Sequence, residues 1–176
     1  MEDVSQGADD FQQDGVRRLA SSLAAITALV ESIPEDDSTW VAGEGQWCLR
    51  EVMGHLIDGD REIFRLRLEL IFSESLEDWP VMDPEGWVIE RKYSERSLRE
   101  LLRLFQDERQ RSLAWLAGLE DPDWFLQREL PDGALKAGDL LMAWCTHDLL
   151  HLDQIARWCS SKALQDHPGF VDDFAF

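Results

Sequence analysis

The chain has 176 residues, 44% of them hydrophobic, which is enough for one domain with a substantial core. Its 36 acidic residues outnumber the 17 basic ones and give a formal net charge of −19, which argues against binding to nucleic acid or to an anionic membrane surface. No segment approaches the ~18 apolar residues of a membrane span, and the N-terminus lacks the basic start and apolar centre of a signal peptide, so we expect a cytoplasmic protein with free cysteines.

The first predicted helix covers about residues 9–32, after a polar segment at residues 1–8 that we expect to be a disordered tail. Apolar residues recur through the helix at helical spacing, and no proline interrupts them until Pro34. They are Phe11, Val16, Leu19, Leu23, Ile26 and Val30. Residues 33–46 contain one proline and two glycines, so they are predicted to form a loop.

A second helix is predicted from Trp47 to about Ser73, and it places a histidine on the face that the core will cover. Glu51 stands three residues after Cys48, as a capping box requires, although cysteine is a weak cap. The inward face carries Val52, His55, Gly59, Leu66 and Leu70, with Asp58 and Glu62 at its edge.

A long connection follows over residues 74–93, and its two tryptophans, Trp79 and Trp87, argue against disorder. Asp83 and Pro84 are the residue types of a helix cap and a first helical position, so one short helical turn is predicted there. We expect this connection to lie across one end of the bundle.

The third predicted helix begins after Ser94, a good cap, and extends to about Leu119. Its inward edge includes one arginine, Arg109. We interpret Arg109 and Glu62 as a buried ion pair between the second and third helices with a purely structural role.

The fourth helix is predicted over about residues 137–161, after a connection that contains Pro131-Asp132-Gly133 and no strand signal. The helix is apolar on both sides, whereas a bundle helix normally buries one stripe. We therefore expect a homodimer with this helix at the interface. Residues 163–176 are predicted to form an irregular tail, which leaves residues 9–162 as the bundle domain.

Four such helices without strands predict an all-α protein, a four-helix bundle. The connections between them exceed ten residues, so they allow crossovers between helices that are not neighbours. The sequence alone leaves the handedness and order of the helices open.

The fourth helix carries His147 and His151 one turn apart, on a face that Gln154 continues. With His55 they make three inward imidazoles, a set that leaves open positions on a divalent ion. Asp58 lies one turn from His55 and Gln154 less than one turn from His151, so both are candidates to hold the outer N–H of a metal-bound imidazole. The alternative is that each histidine is an ordinary core residue.

The order and spacing of these residues resemble a known family over about residues 11–160. The matching motifs are Trp47-x-x-x-Glu51-Val-x-Gly-His55-Leu-x-Asp58, Asp83-Pro84-x-x-Trp87 and His147-Asp148-x-x-His151-x-x-Gln154-Ile155. They are similar to those of the DinB/YfiT-like metalloprotein superfamily, and the chain departs from its pattern at Cys48, where the family commonly has serine.

The resemblance implies a four-helix bundle with a left-handed crossover connection, often dimeric, that holds a divalent ion such as nickel or zinc at His55, His147 and His151. Characterised relatives include thiol-dependent S-transferases and the mycothiol-dependent maleylpyruvate isomerase, for which a metal-activated thiolate is proposed. The resulting hypothesis is a metal-dependent enzyme that joins a low-molecular-weight thiol to a small electrophile, with Asp58 or a bound water assisting proton transfer. The alternative is a non-catalytic dimeric bundle that binds a metal or a ligand.

Overall fold

The computed structural model describes residues 4–75, 77–79, 81–131 and 133–173, and it is a helical bundle. In chain order its helices are α1 (Val4–Glu31), α2 (Leu49–Asp58), α3 (Leu66–Phe72), α4 (Pro84–Glu90), α5 (Leu98–Ala117) and α6 (Ala137–Asp166). A π-helical segment, Gly59–Arg65, joins α2 to α3, so residues 49–72 form one continuous helical segment. Short 3-10 helices lie at Glu35–Thr39 and Tyr93–Glu95.

The four long helical segments form a bundle in which chain neighbours are not always spatial neighbours. α1 packs on α5 and α6, and α2 packs on the same two helices. Since α1 and α2 make few close backbone contacts with each other, they lie at opposite corners, and so do α5 and α6. The predicted four-helix bundle with crossover connections is therefore confirmed.

Local sequence explains where several helices begin. The Cys48 N–H donates to Glu51 Oε2 at 2.8 Å, the contact expected from a capping box. Asp83 Oδ1 accepts from the Gly86 N–H at 2.9 Å, so the predicted short turn is α4. The predicted start of the third helix at Ser94 is wrong by three residues, because a 3-10 turn occupies that position and Ser97 caps α5 instead.

The connection before α6 also differs from the prediction, because it contains a two-stranded antiparallel hairpin. Its strands are β1 (Gln127–Leu130) and β2 (Gly133–Lys136), each four residues long. They were not expected because such short, largely exposed strands carry no clear alternation of apolar and polar residues. Asp132, in the predicted turn, lies outside the described residues.

The helix ends extend beyond the predicted bundle domain on both sides. α1 begins at Val4, within the segment expected to be a tail, and α6 continues to Asp166. Residues 1–3 and 174–176 of the two expected tails lie outside the described residues. Among the residues that the structure describes, no helix combines the length and apolar character that a membrane span needs.

Arg109 is completely buried at the centre of the bundle and is bound to two aspartates. Its Nε donates to Asp60 Oδ2 at 2.7 Å, and its terminal nitrogens donate to Asp148 Oδ1 at 2.8 Å and to the Leu19 carbonyl at 3.1 Å. Ser22 lies within the same network. Arg109 therefore joins α1, the π-helical segment, α5 and α6.

This network corrects the predicted pairing of Arg109 with Glu62. Glu62 lies at the surface, with Oε1 3.1 Å from Arg91. The inward carboxylate is Asp60, because the wider π-helical turn shifts the register of the residues after Asp58. Burial raises the pKa of Asp60, against the attraction of Arg109. Burial alone would lower the pKa of Arg109, but the two aspartates outweigh it and raise that pKa.

Replacing Arg109 by methionine should destabilise the fold by about 3–5 kcal/mol, because it leaves two carboxylates buried without a cation. The matched control is Arg103→Met, which removes an arginine that is 62% exposed and paired with Asp107, and should cost less than about 1 kcal/mol. Urea denaturation of both variants measures the free energy of unfolding. Equal losses in the two would contradict a central role for Arg109.

Candidate metal centre

Three histidines from two helices bring their side chains together near the middle of the bundle. α2 carries His55, and α6 carries His147 and His151. His147 Nε2 lies 3.0 Å from His55 Nε2 and 3.1 Å from His151 Nε2. The potential ligand atoms of all three lie within 4.8 Å of one another, so the group can hold a metal ion.

The donor set of this cluster fits a divalent metal ion better than it fits hydrogen bonding. Two nitrogens held at right angles on one ion, each at ~2.1 Å, lie about 3.0 Å apart. A neutral imidazole nitrogen carries either one hydrogen or one lone pair, so His147 Nε2 makes at most one good hydrogen bond with its two close neighbours. An ion shared by the three nitrogens accounts for both short contacts.

The three imidazoles are uncharged at neutral pH, as metal ligands must be. Burial lowers the pKa of His55 to about 4 and that of His147 to about 3. Burial also lowers the pKa of His151, against its hydrogen bond to Gln154. His151 Nδ1 lies 2.7 Å from Gln154 Oε1, and since that oxygen only accepts, Nδ1 carries the hydrogen and Nε2 keeps its lone pair.

The surroundings of the cluster restrict the histidine rings. The indole of Trp47 lies 5.0 Å from the ring of His55, and the ring of Phe64 meets that of His147 edge-on at 5.1 Å. A Cβ at Gly59 would lie 3.3 Å from His147 Cε1, so only glycine leaves His147 its full space there. These contacts orient the imidazoles before any ligand arrives.

Asp58, predicted to support His55, has other partners in the structure. Its Oδ1 accepts from the Tyr93 hydroxyl at 2.7 Å and from Arg91. In the described part of the chain no hydrogen bond joins Asp58 to a histidine, and both Asp58 Oδ2 and His55 Nδ1 are buried without a partner. Burial raises the pKa of Asp58, whereas Tyr93 and Arg91 lower it.

The contacts of Asp58 attach the segment after α4 to the helix that carries His55. The ring of Tyr93 covers α2 so closely that a Cβ at Gly54 would clash with it. Burial raises the pKa of Tyr93 to about 12, so its hydroxyl remains a donor to Asp58 at neutral pH. No pattern in the sequence indicates this contact, because Tyr93 lies in a connection without helical periodicity.

Asp148 controls the orientation of the two histidines on α6. It follows His147 directly, is completely buried, and is held by Arg109 and Ser22. Because successive helical residues differ by 100°, fixing Asp148 towards Arg109 turns His147 and His151 towards α2. Asp148 therefore faces the neighbouring helices and not solvent.

A cavity of about 610 Å³ lies beside the histidine cluster, between the loop at residues 42–47 and the C-terminal half of α6. Trp47 and Gln154 line this cavity and also contact His55 and His151, respectively. Trp158, Arg157 and Glu85 contribute further to its wall. Its volume is typical of a small-molecule site.

The sequence model of one protein family, the DinB superfamily, matches residues 18–155 of the chain. Among solved structures, the chain is similar to YfiT from Bacillus subtilis, which is described as a probable metal-dependent hydrolase with an unusual four-helix bundle topology. The two chains are 19% identical, and their structures match with a TM-score of 0.75 over 86% of this chain and 87% of that chain. No curated protein gives a significant sequence match.

Two further solved structures share the fold at lower identity. The mycothiol-dependent maleylpyruvate isomerase is 13% identical with a TM-score of 0.65, over 82% of this chain and 60% of that chain. An uncharacterised protein from Clostridium difficile 630 is 12% identical with a TM-score of 0.66, over 85% of this chain and 95% of that chain. At these identities the likenesses show the fold alone.

Replacing Gln154 by alanine should weaken the binding of a divalent ion by about tenfold, because His151 loses the acceptor that fixes its ring and tautomer. Competition with a chelator of known affinity measures the change. Gln106→Ala, which removes a glutamine of α5 bonded to Thr27, is the control and should leave the affinity unchanged. Wild-type affinity in Gln154→Ala would show that Gln154 does not support the site.

Proposed function

The chain belongs to the DinB superfamily, and from its three converging imidazoles we propose that it is a divalent-metal-dependent enzyme with His55, His147 and His151 as the metal ligands. The observation that supports this most strongly is the meeting of three uncharged Nε2 atoms around one point. A buried set of lone pairs is costly unless something binds to it. Imidazole nitrogen is a suitable ligand for both zinc and nickel, so we propose one of these ions.

A bound ion would supply Lewis acidity and a site for a thiolate or a water at the positions that the histidines leave open. The chain's own residues have separate tasks. Gln154 holds His151 in the tautomer that presents Nε2, Phe64 restricts His147, and Trp47 shields His55 from solvent. Asp58, without a contact to the histidines, contributes by attaching the segment at Tyr93 to α2.

We further propose that the reaction is a thiol-dependent S-transfer onto a small electrophile. The cavity beside the cluster supports this, because it shares Trp47 and Gln154 with the surroundings of the histidines and has room for a thiol and a second small molecule. The fold is shared with a mycothiol-dependent isomerase, which uses a low-molecular-weight thiol, and with YfiT, described as a probable hydrolase.

Metal analysis of protein purified without a histidine tag should find about one divalent ion per chain. His151→Ala should lose most of it, because two imidazoles bind far less tightly than three. His167→Ala, which removes an exposed histidine outside the cluster, is the control and should retain the ion.

If metal is bound, the metal-loaded protein should speed the loss of free thiol when cysteine, glutathione or mycothiol is mixed with an aryl halide, and His151→Ala should not. Absence of stoichiometric metal, or unchanged metal content in His151→Ala, would contradict the proposed site. Metal binding without turnover of any thiol would contradict S-transfer and favour a binding protein, whereas metal-dependent ester or amide cleavage would favour hydrolysis.

We propose that the protein is a homodimer that covers the outer face of α6. Three large apolar side chains lie exposed there, Met142, Leu149 and Leu150, at 41%, 58% and 65% exposure. Exposed apolar residues gathered on one helix face are typical of an interface.

Light scattering should therefore give the mass of two chains, and Leu149→Glu combined with Leu150→Glu should give one. The control is Ile89→Glu, which adds a charge at an exposed apolar residue of α4 and should leave the dimer intact. A monomeric wild-type protein would contradict the proposal.

A further inference from the structure

Arg67 of α3 is a buried arginine that no carboxylate of the described residues neutralises. Only 9% of the residue is exposed. Its Nε is buried without a hydrogen-bond acceptor, and no ion pair involves it in the described part of the chain. A guanidinium removed from water is costly unless it is paired, so this arrangement calls for a partner.

A shortage of acidic residues does not account for the lack of a carboxylate at Arg67. The chain has 36 acidic residues for 17 basic ones. Within the described residues, every arginine except Arg67, Arg99 and Arg128 has a carboxylate within ion-pair distance. Arg99 is exposed and solvated, whereas Arg67 is buried and its pKa is lowered by that burial.

Arg67 and Arg128, neither of which has an ion pair among the described residues, both lie against the ring of Trp79, which carries an unused donor of its own. The guanidinium of Arg67 stacks 4.5 Å from the centre of the Trp79 ring, and that of Arg128 lies 5.5 Å from the same ring. The Nε1–H of Trp79 is buried and has no acceptor. Two positive charges therefore lie at the Trp79 side chain, whose own N–H is unused, and within the described part of the chain no carboxylate pairs with either guanidinium.

Arg128 is held in place by neutral groups, which leave its charge uncompensated. Its terminal nitrogens donate to the backbone carbonyls of Ser75, at 3.1 Å, and of Glu77. These bonds attach β1 to the segment that carries Trp79. The two guanidiniums are thus fixed by a stacked indole and by main-chain oxygens, as a preformed site requires.

We propose that Arg67, Arg128 and the Nε1–H of Trp79 form a binding site for a small oxyanion, a carboxylate or a phosphate group. Guanidinium groups bind both kinds of oxyanion through charge-assisted hydrogen bonds. The site is separate from the histidine cluster and does not depend on the proposed enzymatic function. Arg67 follows His55 by twelve residues, about three helical turns further along the same helical segment.

Calorimetric titration with inorganic phosphate, at constant ionic strength, tests the site. Wild-type protein should bind one phosphate per chain, and Arg67→Gln and Arg128→Gln should each weaken binding at least tenfold. Arg99→Gln removes the same charge from an exposed position and should change the affinity less than twofold. Titration with succinate in a second arm tells whether the site prefers a phosphate or a carboxylate.

Two further variants distinguish this site from binding elsewhere on the protein. His151→Ala should bind phosphate like the wild type, which excludes binding through a metal ion at the histidine cluster. Trp79→Phe keeps a stacked ring but removes the N–H donor, and should weaken binding at least threefold. Should Arg67→Gln fail to fold, Trp79→Phe and Arg128→Gln still decide the question.

Absence of saturable binding of both phosphate and succinate to the wild type would overturn the proposal. Binding that Arg128→Gln and Trp79→Phe leave unchanged would show an adventitious ion only, and would overturn it equally. The melting temperature supplies an independent measurement, because a ligand that binds only the folded state raises it. Phosphate should raise the melting temperature of the wild type more than that of Arg128→Gln.

Discussion

The buried pairing of Arg109 with Asp60 and Asp148 is the interaction on which the arrangement of the bundle depends. Each partner belongs to a different helical segment, and the Leu19 carbonyl adds a fourth. Apolar packing alone tolerates small rotations of a helix, whereas a charged group that must meet two carboxylates does not. Trp144 adds to the specificity, because its Nε1–H donates to Asp60 Oδ1 at 3.0 Å. The rotation of α6, and with it the direction of His147 and His151, follows from this one charged centre.

The π-helical segment is the second determinant of the site. Asp58 and Asp60 lie two residues apart, yet one binds Tyr93 at the edge of the bundle and the other binds Arg109 at its centre. Residues two positions apart on a helix differ by about 200°, so the two carboxylates point to opposite sides of the segment at the place where the π turn begins. Gly59, at the start of that turn, leaves space for the ring of His147. The π-helical segment therefore lies between the histidine cluster and the buried Arg109 with its two aspartates.

Much of this could be predicted from the sequence, because it depends on short-range spacing. The i, i+4 relation of His147 and His151, the inward face that carries His55, and the caps at Cys48 and Asp83 are local patterns. The pairing of Arg109 with Asp60 instead of Glu62 could not be predicted, since regular helical geometry assigns the wrong face after the π turn. The role of Asp58 depends on where Tyr93 crosses α2, which no local pattern reveals. The hairpin before α6 was missed because its strands are short and largely exposed.

The packing of Tyr93 on Gly54 links two parts of the sequence that are far apart. The aromatic ring occupies the space of a side chain at residue 54, directly before the first histidine of the cluster. A larger residue at position 54 is compatible with this fold only where position 93 becomes smaller or its segment moves away from α2. The two positions should therefore change together among relatives. A side chain before this histidine therefore indicates that the segment after α4 packs differently on α2.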